Sequence, residues 1–289
     1  MADRRTAANP SFGGLRVLVL ESRRARELAS IVTAYGGEPM AAPSMREVPL
    51  ASNTEAVGFA DRLERDEFDL VILLTGVGTR ALVSVVETVR GSRESFVAAL
   101  GRTKVAARGP KPVAVLRELG VPVWATAPEP NTWRELLAVL DARHAELPLA
   151  GLRVAVQEYG ASNPDLLSGL EARGARVTRV PVYRWALPED LGPLRSAVGA
   201  LAERRVDVAI FTTATQAVHL LHVAEEMGQA DAVRAGLRHA VVASIGPTTS
   251  EELRQQGIAP DVEPTHPKMG FLVRETAERA AGILRDKRR

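Results

Sequence analysis

The stretch that decides the fold is Val241-Val242-Ala243-Ser244-Ile245-Gly246-Pro247-Thr248-Thr249-Ser250. Its unbroken apolar run predicts a strand that is buried on both faces, as the strands of parallel sheets are. Gly246 is expected to permit a tight turn, and Pro247 suits the first turn of a helix because it has no N–H to lose there. Thr248 and Thr249 then place hydroxyl and N–H groups at a helix N-terminus, which favours anion binding.

The same strand–glycine–proline–helix pattern occurs a second time in the chain. This other copy comes earlier in the chain and is called the first copy. It begins at Val105, 137 positions before its counterpart Val242 (242 − 105). Two other segments repeat with almost the same spacing: residues 15–19 match 152–156, and residues 69–75 match 207–213. A repeat of this length indicates two related domains, because solenoid repeats are only about 20–50 residues long. We expect a binding site to lie between the two copies.

Composition and charge narrow the class of protein. Apolar residues make up 46% and charged residues 25% of the 289 positions, which is typical of a soluble globular protein of about two domains. The net charge of +2 is too small to indicate nucleic-acid binding, although the many arginines suit an acidic ligand. Because the chain has no cysteine, disulfides, thiolate metal ligands and a cysteine nucleophile are excluded.

The sequence shows neither a membrane span nor a secretion signal. No apolar run approaches about 20 residues, and the N-terminal region lacks the apolar core of a signal peptide. We therefore predict a cytoplasmic protein without nucleic-acid or membrane partners. We also expect a monomer, because a ligand between the two copies would be bound within one chain. Residues 1–14 are polar and end in Gly13 and Gly14, which predicts a flexible tail.

Strands that alternate with helices along the chain predict the α/β class. Two similar flavodoxin-like, doubly wound parallel sheets of five strands each account for the strands. This count includes a strand at residues 261–263, and one helix is expected to follow Ser52 or Asn53 as its cap. In sheets of this kind ligands bind beyond the carboxyl ends of the strands, where the motifs above are located.

Several of these motifs, taken in order and spacing, resemble those of the uroporphyrinogen-III synthase family. In the second copy they are Val180-Pro181-Val182-Tyr183-Arg184, Phe211-Thr212-Thr213-Ala214-Thr215-Gln216-Ala217-Val218 and Ile245-Gly246-Pro247-Thr248-Thr249. In the first copy, Leu74-Thr75-Gly76-Val77-Gly78 and Ala107-Arg108-Gly109-Pro110-Lys111 are similar to variants in some bacterial members. The resemblance runs from about residue 15 to about residue 280, which is nearly the whole chain.

The resemblance implies a particular path of the chain. In that family the chain starts in one lobe, crosses to the other and returns, so that two extended linkers join the lobes. Carried to this sequence, residues 15–47 and 189–289 are expected to form one lobe and residues 51–179 the other. The linkers are then expected at residues 48–50 and 180–188.

The resemblance also implies a reaction in haem biosynthesis. The family closes hydroxymethylbilane, a linear tetrapyrrole, into uroporphyrinogen III with inversion of the last pyrrole ring, and needs no cofactor and no metal. Loss of the terminal hydroxyl gives an azafulvene cation, which the last ring attacks through a spiro intermediate. The protein must therefore fold a flexible polyanion, assist departure of a hydroxyl and exclude water, which a cleft between two lobes could do.

Tyr183 is the expected catalytic residue. It matches the tyrosine that the family places beside the cleft, and a phenol can hydrogen-bond or donate a proton to departing hydroxide. The alternative is a strand tyrosine that only packs against its lobe.

The expected substrate-binding residues share a position at a strand end or in the first turn of a helix. They are Thr248, Thr249, Gly246, Thr212, Thr213, Thr75, Gly76, Arg108, Lys111, Arg23 and Arg24. For the threonines the alternative is an N-cap, and for the basic residues it is a solvated loop. The first copy departs from the common family pattern at Lys111-Pro112, where a small residue and a threonine usually follow the glycine.

Other classes of function remain open at this stage. A catalytically weak relative could serve as a ligand-sensing regulatory module that binds a tetrapyrrole or another polycarboxylate. A two-lobed periplasmic binding protein would need a signal peptide, and a dinucleotide oxidoreductase would need G-x-G-x-x-G after a strand. His219 and His222 have a spacing that suits a metal, but no third ligand is in view, so no metal site is predicted.

Overall fold

The chain forms two compact units in the computed structural model, which describes residues 10–49, 54–160 and 162–289. The terminal unit contains the described residues up to Arg46 together with Ala186–Arg289, and the central unit contains those of Glu47–Trp185. The strands are β1 (Arg16–Val19), β2 (Glu38–Ala41), β3 (Arg46–Pro49), β4 (Leu70–Leu73), β5 (Lys104–Ala107), β6 (Ala125–Thr126), β7 (Arg153–Gly160), β8 (Arg176–Ala186), β9 (Val208–Phe211) and β10 (Val241–Ser244). The helices are α1 (Ala25–Ala34), α2 (Thr54–Glu64), α3 (Gly76–Arg90), α4 (Glu94–Arg102), α5 (Pro110–Glu118), α6 (Trp133–Ala142), α7 (Pro164–Glu171), α8 (Gly192–Ala202), α9 (Ala214–Glu226), α10 (Ala230–His239), α11 (Pro247–Gln255) and α12 (Met269–Lys287).

The terminal unit is built on a parallel sheet with strand order β10-β9-β1-β2. Leu18, Ala209 and Val242 pack on one face with apolar residues of α8, α9 and α10. Alternate residues of the same strands, such as Val17 and Val208, pack on the other face with α1 and α12. Both faces are thus covered, which explains the unbroken apolar runs and confirms the predicted α/β class with parallel sheets.

The prediction of five strands for this unit is wrong. In place of the expected strand at residues 261–263, Val262 makes an isolated parallel bridge with Ala243. Pro260 and Pro264 stand on either side, and proline has no N–H to continue a ladder. The fifth position is therefore marked by one bridge and does not extend into a strand.

The central unit is built on a sheet with strand order β3-β8-β7-β4-β5-β6. The pairs β4–β5, β4–β7, β5–β6 and β7–β8 are parallel. Six strands replace the predicted five because β3 adds an edge strand. The predicted linker 180–188 also requires correction: its first part continues β8 as far as Ala186. Of the predicted linker 48–50, residues 48–49 belong to β3, and residue 50 lies outside the described residues.

The prediction of a flexible tail is wrong for its last residues. Phe12 is 2% exposed and belongs to the core that α1 and α12 cover. Its N–H donates to the carbonyl of Tyr35, and the N–H of Gly14 donates to the carbonyl of Gly36, both at 2.8 Å. Burial of Phe12 and these two backbone hydrogen bonds hold residues 12–14 against the terminal unit, although their neighbours in the sequence are polar. Residues 1–9, and the expected helix caps Ser52 and Asn53, lie outside the described residues.

The internal repeat has a counterpart in side-chain contacts. In the terminal unit the N–H of Arg16 donates to Asp207 Oδ2 at 2.9 Å, and in the central unit the N–H of Arg153 donates to Asp69 Oδ2 at 2.8 Å. Both arginines also direct Nε at the same carboxylate oxygen. The arginine comes first along the chain in the terminal unit and last in the central unit. The two units therefore build the same contact with the order of their segments exchanged.

Candidate functional site

The first turn of α9 is closed by hydrogen bonds within the terminal unit. The Thr212 hydroxyl donates to Glu21 Oε2 at 2.6 Å, and its N–H donates to Gln216 Oε1 at 2.7 Å. Gln216 Nε2 returns a bond to the same hydroxyl, and Thr213 caps the helix by accepting from the N–H of Thr215. The donors of Thr212 are thus used internally, so this residue holds the turn in place. Sequence reasoning missed Glu21, which is buried.

The first turn of α11 is arranged differently. Gly246 is the N-cap with φ 167°, which is extended backbone, and an added Cβ would lie 3.6 Å from Pro267 Cβ. Gly246 stands at the expected turn from strand to helix, but its backbone conformation is one that any residue adopts. Thr248 is exposed and Thr249 is 3% exposed. Since Pro247 has no N–H, the donors of this turn are the N–H groups of the two threonines.

The two predicted arginines after β1 are exposed. Arg24 Nε donates to Glu27 Oε2 at 2.6 Å, and this bond raises the pKa of Arg24 above its ordinary value. The positive charge of Arg24 is therefore partly neutralised by Glu27 of α1. Because β1, β9 and β10 are neighbours and parallel, Arg23, Arg24 and the first turns of α9 and α11 follow the same edge of the sheet.

In the central unit the first turns of α3 and α5 lie in direct contact. Thr75 caps α3 by accepting from the N–H of Gly78 at 3.0 Å. A Cβ added to Gly76 would stand 2.7 Å from the carbonyl oxygen of Lys111, so only glycine fits there. The structure thus brings Thr75 and Gly76 together with the first turn of α5, as their places after neighbouring strands β4 and β5 require.

A buried glutamine lies beneath α3. Gln157, at 1% exposed, donates from Nε2 to the carbonyl of Glu158 at 2.5 Å, while its Oε1 has no hydrogen-bond partner among the described residues. A Cβ on Gly78 would collide with this amide. By the repeat spacing, Gly78 corresponds to Gln216 and Gln157 corresponds to Leu20. Each unit therefore has one buried amide side chain at this place, which comes from helix α9 in the terminal unit and from strand β7 in the central unit. Sequence reasoning missed Gln157 because it lies about 80 residues from its glycine.

Arg108 follows β5 and immediately precedes the N-cap of α5. Its side chain is half-buried, and burial lowers the pKa of its guanidinium, which nevertheless stays charged. No carboxylate of residues 10–49, 54–160 or 162–289 forms an ion pair with it. Lys111 lies in the first turn of α5 and is exposed.

Tyr183 lies in β8 and is 6% exposed. The strand bulges here: Glu158 pairs with Pro181, but Gly160 pairs with Arg184, which leaves one extra residue in β8. The extra residue brings Tyr183 onto the side of Val180 and Val182, with which it packs in one core. Trp185 meets its ring edge to face, with centroids 5.6 Å apart.

A family model described as Uroporphyrinogen-III synthase HemD matches residues 26–274. The chain belongs to the uroporphyrinogen-III synthase family. The sequence resemblance is thereby confirmed, and the fold and helix turns described above are those of a family member.

The chain is also similar to individual proteins over most of its length. The chain is 29% identical over 237 residues to "Putative uroporphyrinogen-III synthase" of Methanothermobacter thermautotrophicus, covering 81% of this chain and 87% of the relative. It is 31% identical over 266 residues to "Uncharacterized protein YjjA" of Bacillus subtilis, covering 92% and 96%. A solved mutant uroporphyrinogen III synthase of Thermus thermophilus matches with a TM-score of 0.72 and 25% identity, covering 93% of this chain and 99% of that one.

His219 and His222, whose spacing would suit a metal ion, make other contacts in this member of the uroporphyrinogen-III synthase family. His219 Nδ1 lies 2.7 Å from the carbonyl oxygen of Ser44, and His222 Nε2 lies 3.3 Å from Glu226 Oε1. Within the described part of the chain, no group of three His, Cys, Asp or Glu residues could hold a metal ion. None of the described helices is long and apolar enough to cross a membrane.

Proposed function

We propose that the chain is a uroporphyrinogen-III synthase, which cyclises hydroxymethylbilane to uroporphyrinogen III with inversion of the last pyrrole ring. Family membership over residues 26–274 is the observation that carries this proposal. The fold supports it, because both units end their parallel strands in helix N-termini, and such ends bind carboxylates. The proposed reaction places the protein in porphyrin biosynthesis.

The binding residues are proposed to act mainly through N–H groups and charge. Thr248 and Thr249 at α11 keep backbone donors, and Thr75 and Gly76 begin α3. Arg108 carries a guanidinium without a carboxylate partner in the described segments. Acetate and propionate groups of a linear tetrapyrrole need such donors, since a flexible polyanion must be held in a folded conformation before its ends can react.

Tyr183 is proposed to assist departure of the terminal hydroxyl. Its surroundings support a defined position, because the bulge, Trp185 and the neighbouring valines restrict the ring. Low exposure also suits the chemistry: an azafulvene cation must be kept from water until the last ring attacks. No cofactor enters the proposed reaction.

Product identity tests the proposed function directly. Hydroxymethylbilane generated in situ by its synthase closes without an enzyme to the uninverted type I isomer. We expect the purified protein to yield an excess of type III, measured by chromatography of the oxidised porphyrins, with and without a metal chelator. If only type I is formed while a tetrapyrrole still binds, the protein is a ligand-sensing module and the enzyme proposal is wrong.

A further inference from the structure

The part of the central sheet that carries Tyr183 has no counterpart among the described strands of the terminal unit. By the repeat spacing, residues 153–156 of β7 match residues 16–19, which are the whole of β1. Residues 157–160 therefore extend β7 beyond its counterpart, and they pair with the last part of β8. β8 has 11 residues, whereas β2, which takes the same place beside β1, has four. Tyr183 and Trp185 both lie in this added piece of sheet.

Gly160 ends β7 in a conformation that favours glycine. Its φ is 72°, in the left-handed region, where a residue with a Cβ is strained. A Cβ built on Gly160 would stand 2.0 Å from Cδ1 and 2.2 Å from Nε1 of Trp185. The indole therefore lies directly on the backbone of this glycine, in space that any other residue would fill. Both the backbone conformation and the contact with the indole require glycine at this position.

The indole of Trp185 in turn contacts Tyr183. The ring centroids are 5.6 Å apart and the ring planes meet at 87°, an edge-to-face arrangement that aromatic pairs favour. Tyr183 is 6% exposed, Trp185 is half-buried, and both pack in the same core of the central unit. Gly160 pairs with Arg184, the residue between the two aromatic residues. Backbone pairing and ring contact thus fix the same place, so a displacement of the indole would also move the phenol ring.

We propose that Gly160 and Trp185 are positioning residues for Tyr183: the glycine leaves room for the indole, and the indole holds the phenol ring in its orientation. The inference rests on the proposed function, in which the Tyr183 hydroxyl assists departure of the terminal hydroxyl. A reacting group that is displaced by about 1 Å can lose about 10²-fold in rate. The bulge in β8 determines which face of the strand carries Tyr183, and the contact with Trp185 determines where its ring lies on that face.

A glycine just before β7 gives a matched control for Gly160. Gly151 and Gly160 both have left-handed backbone, with φ 79° and 72°, so alanine causes the same kind of strain at both. Only Gly160→Ala also meets the indole, because a Cβ on Gly151 would lie in open space. We expect Gly160→Ala to lower kcat for type III formation about 10- to 100-fold while KM stays within about 3-fold of the wild type. Gly151→Ala should keep the kcat and KM of the wild type.

Variants of Trp185 test the contact with the phenol ring. We expect Trp185→Leu to lower kcat about 10- to 100-fold, whereas Trp185→Phe, which keeps an aromatic ring beside Tyr183, should stay within about 5-fold of the wild type. Gly160→Ala added to Trp185→Leu should cause little further loss, because the indole that alanine would displace is already absent. Two independent effects would instead multiply.

Near-UV circular dichroism follows the aromatic pair without any turnover. We expect Gly160→Ala to change the spectrum of the wild type, since the indole must leave its place, and Gly151→Ala to leave the spectrum unchanged. Far-UV circular dichroism checks that each variant is folded. If Trp185→Leu does not fold, the comparison of Gly160→Ala with Gly151→Ala decides.

Equal kcat values for Gly160→Ala and Gly151→Ala would overturn the proposal, and so would full multiplication of the two losses in the double variant. Failure of the proposed function gives a different result, because the wild type itself then forms only the type I isomer. That result would remove the catalytic role of Tyr183 and the positioning role with it, whereas an active wild type with equal glycine variants would remove the positioning role alone.

Discussion

At the scale of single residues, the bulge in β8 gives Tyr183 a position that alternation along the strand would not. Val180 and Val182 lie on one face, and without the extra residue Tyr183 would point to the other. The resemblance to the family identified Tyr183, but no local pattern signals where a bulge will occur. A role in the reaction would need the hydroxyl of Tyr183, whereas a packing role would need only its ring.

Replacement of Tyr183 by phenylalanine separates these two roles. If the phenol assists departure of hydroxide, Tyr183→Phe should lower kcat about 10²- to 10⁴-fold while thermal stability and product affinity stay near the wild type. Tyr35→Phe, in the terminal unit, is the control and should keep its turnover. A wild-type kcat in purified Tyr183→Phe would assign the tyrosine to packing.

The two N-cap glycines offer a matched pair at the same scale. Gly109 and Gly246 have almost the same extended backbone, so alanine incurs the same capping loss at both. Only Gly109→Ala also collides with Asn131, whereas Gly246→Ala meets Pro267 at ordinary contact distance. We expect Gly109→Ala to lower the free energy of unfolding by about 1–3 kcal/mol more than Gly246→Ala, measured by urea denaturation. Equal losses would show that Asn131 moves aside freely.

Much of the candidate site was predicted from the sequence because strand ends are visible there. The threonines and glycines after β4, β9 and β10 were identified in this way. Glu21 and Gln157 were not, because each acts on a residue far away in the chain. A long-range contact leaves no periodic signal for sequence analysis to detect.

At the scale of elements, unbroken apolar runs predicted the inner strands of each sheet correctly but did not predict the edge strands. β4, β9 and β10 are buried throughout, and burial on both faces is what an unbroken run records. β3 and the bridge at Val262 lie at sheet margins, where pairing depends on which neighbour the folded chain supplies. This is why five strands were predicted for each sheet, and four and six are found.

The pair of Arg153 and Asp69 ties β7 to β4 and gives a prediction about pH. Its hydrogen bonds hold the pKa of Asp69 below the ordinary value, so the stabilisation is present above the unfolded pKa of about 3.9 and is lost as pH falls through the folded one. The deficit of Asp69→Asn relative to the wild type should therefore be constant near neutral pH and shrink below about pH 4. Because Arg153 is exposed to solvent, we expect the deficit to be about 1 kcal/mol.

Urea denaturation at a series of pH values measures this deficit. Glu118→Gln, which removes an exposed ion pair with Arg80, is the control and should change stability little at any pH. A deficit that grew towards acid pH would contradict the expected direction of the change.

At the scale of the whole molecule, the two units differ in how the chain enters them. The central unit is continuous, from Glu47 to Trp185, while the terminal unit takes β1 and β2 from one part of the chain and β9 and β10 from another. A fragment of residues 46–186, which keeps β3 and β8 whole, should therefore unfold cooperatively in urea by itself. Fragments 10–46 and 187–289 should each lack such a transition until they are mixed, and a cooperative transition in 10–46 alone would contradict this.

The contact of Arg16 with Asp207 also determines how late in synthesis β1 can complete its pairing. Arg16 leaves the ribosome early, but Asp207 and β9, which complete its side of the sheet, emerge 191 residues later. At about 5–20 residues per second, β1 waits on the order of ten seconds or more with an unpaired edge. During that time the central unit can finish folding, because none of its strands awaits a later segment. An unpaired apolar edge invites misassembly, so we expect nascent chains of this protein to need chaperone cover over β1 until β9 is translated. Pulse proteolysis of stalled chains, with and without residues 208–211, would reveal whether β1 becomes protected only in the longer ones.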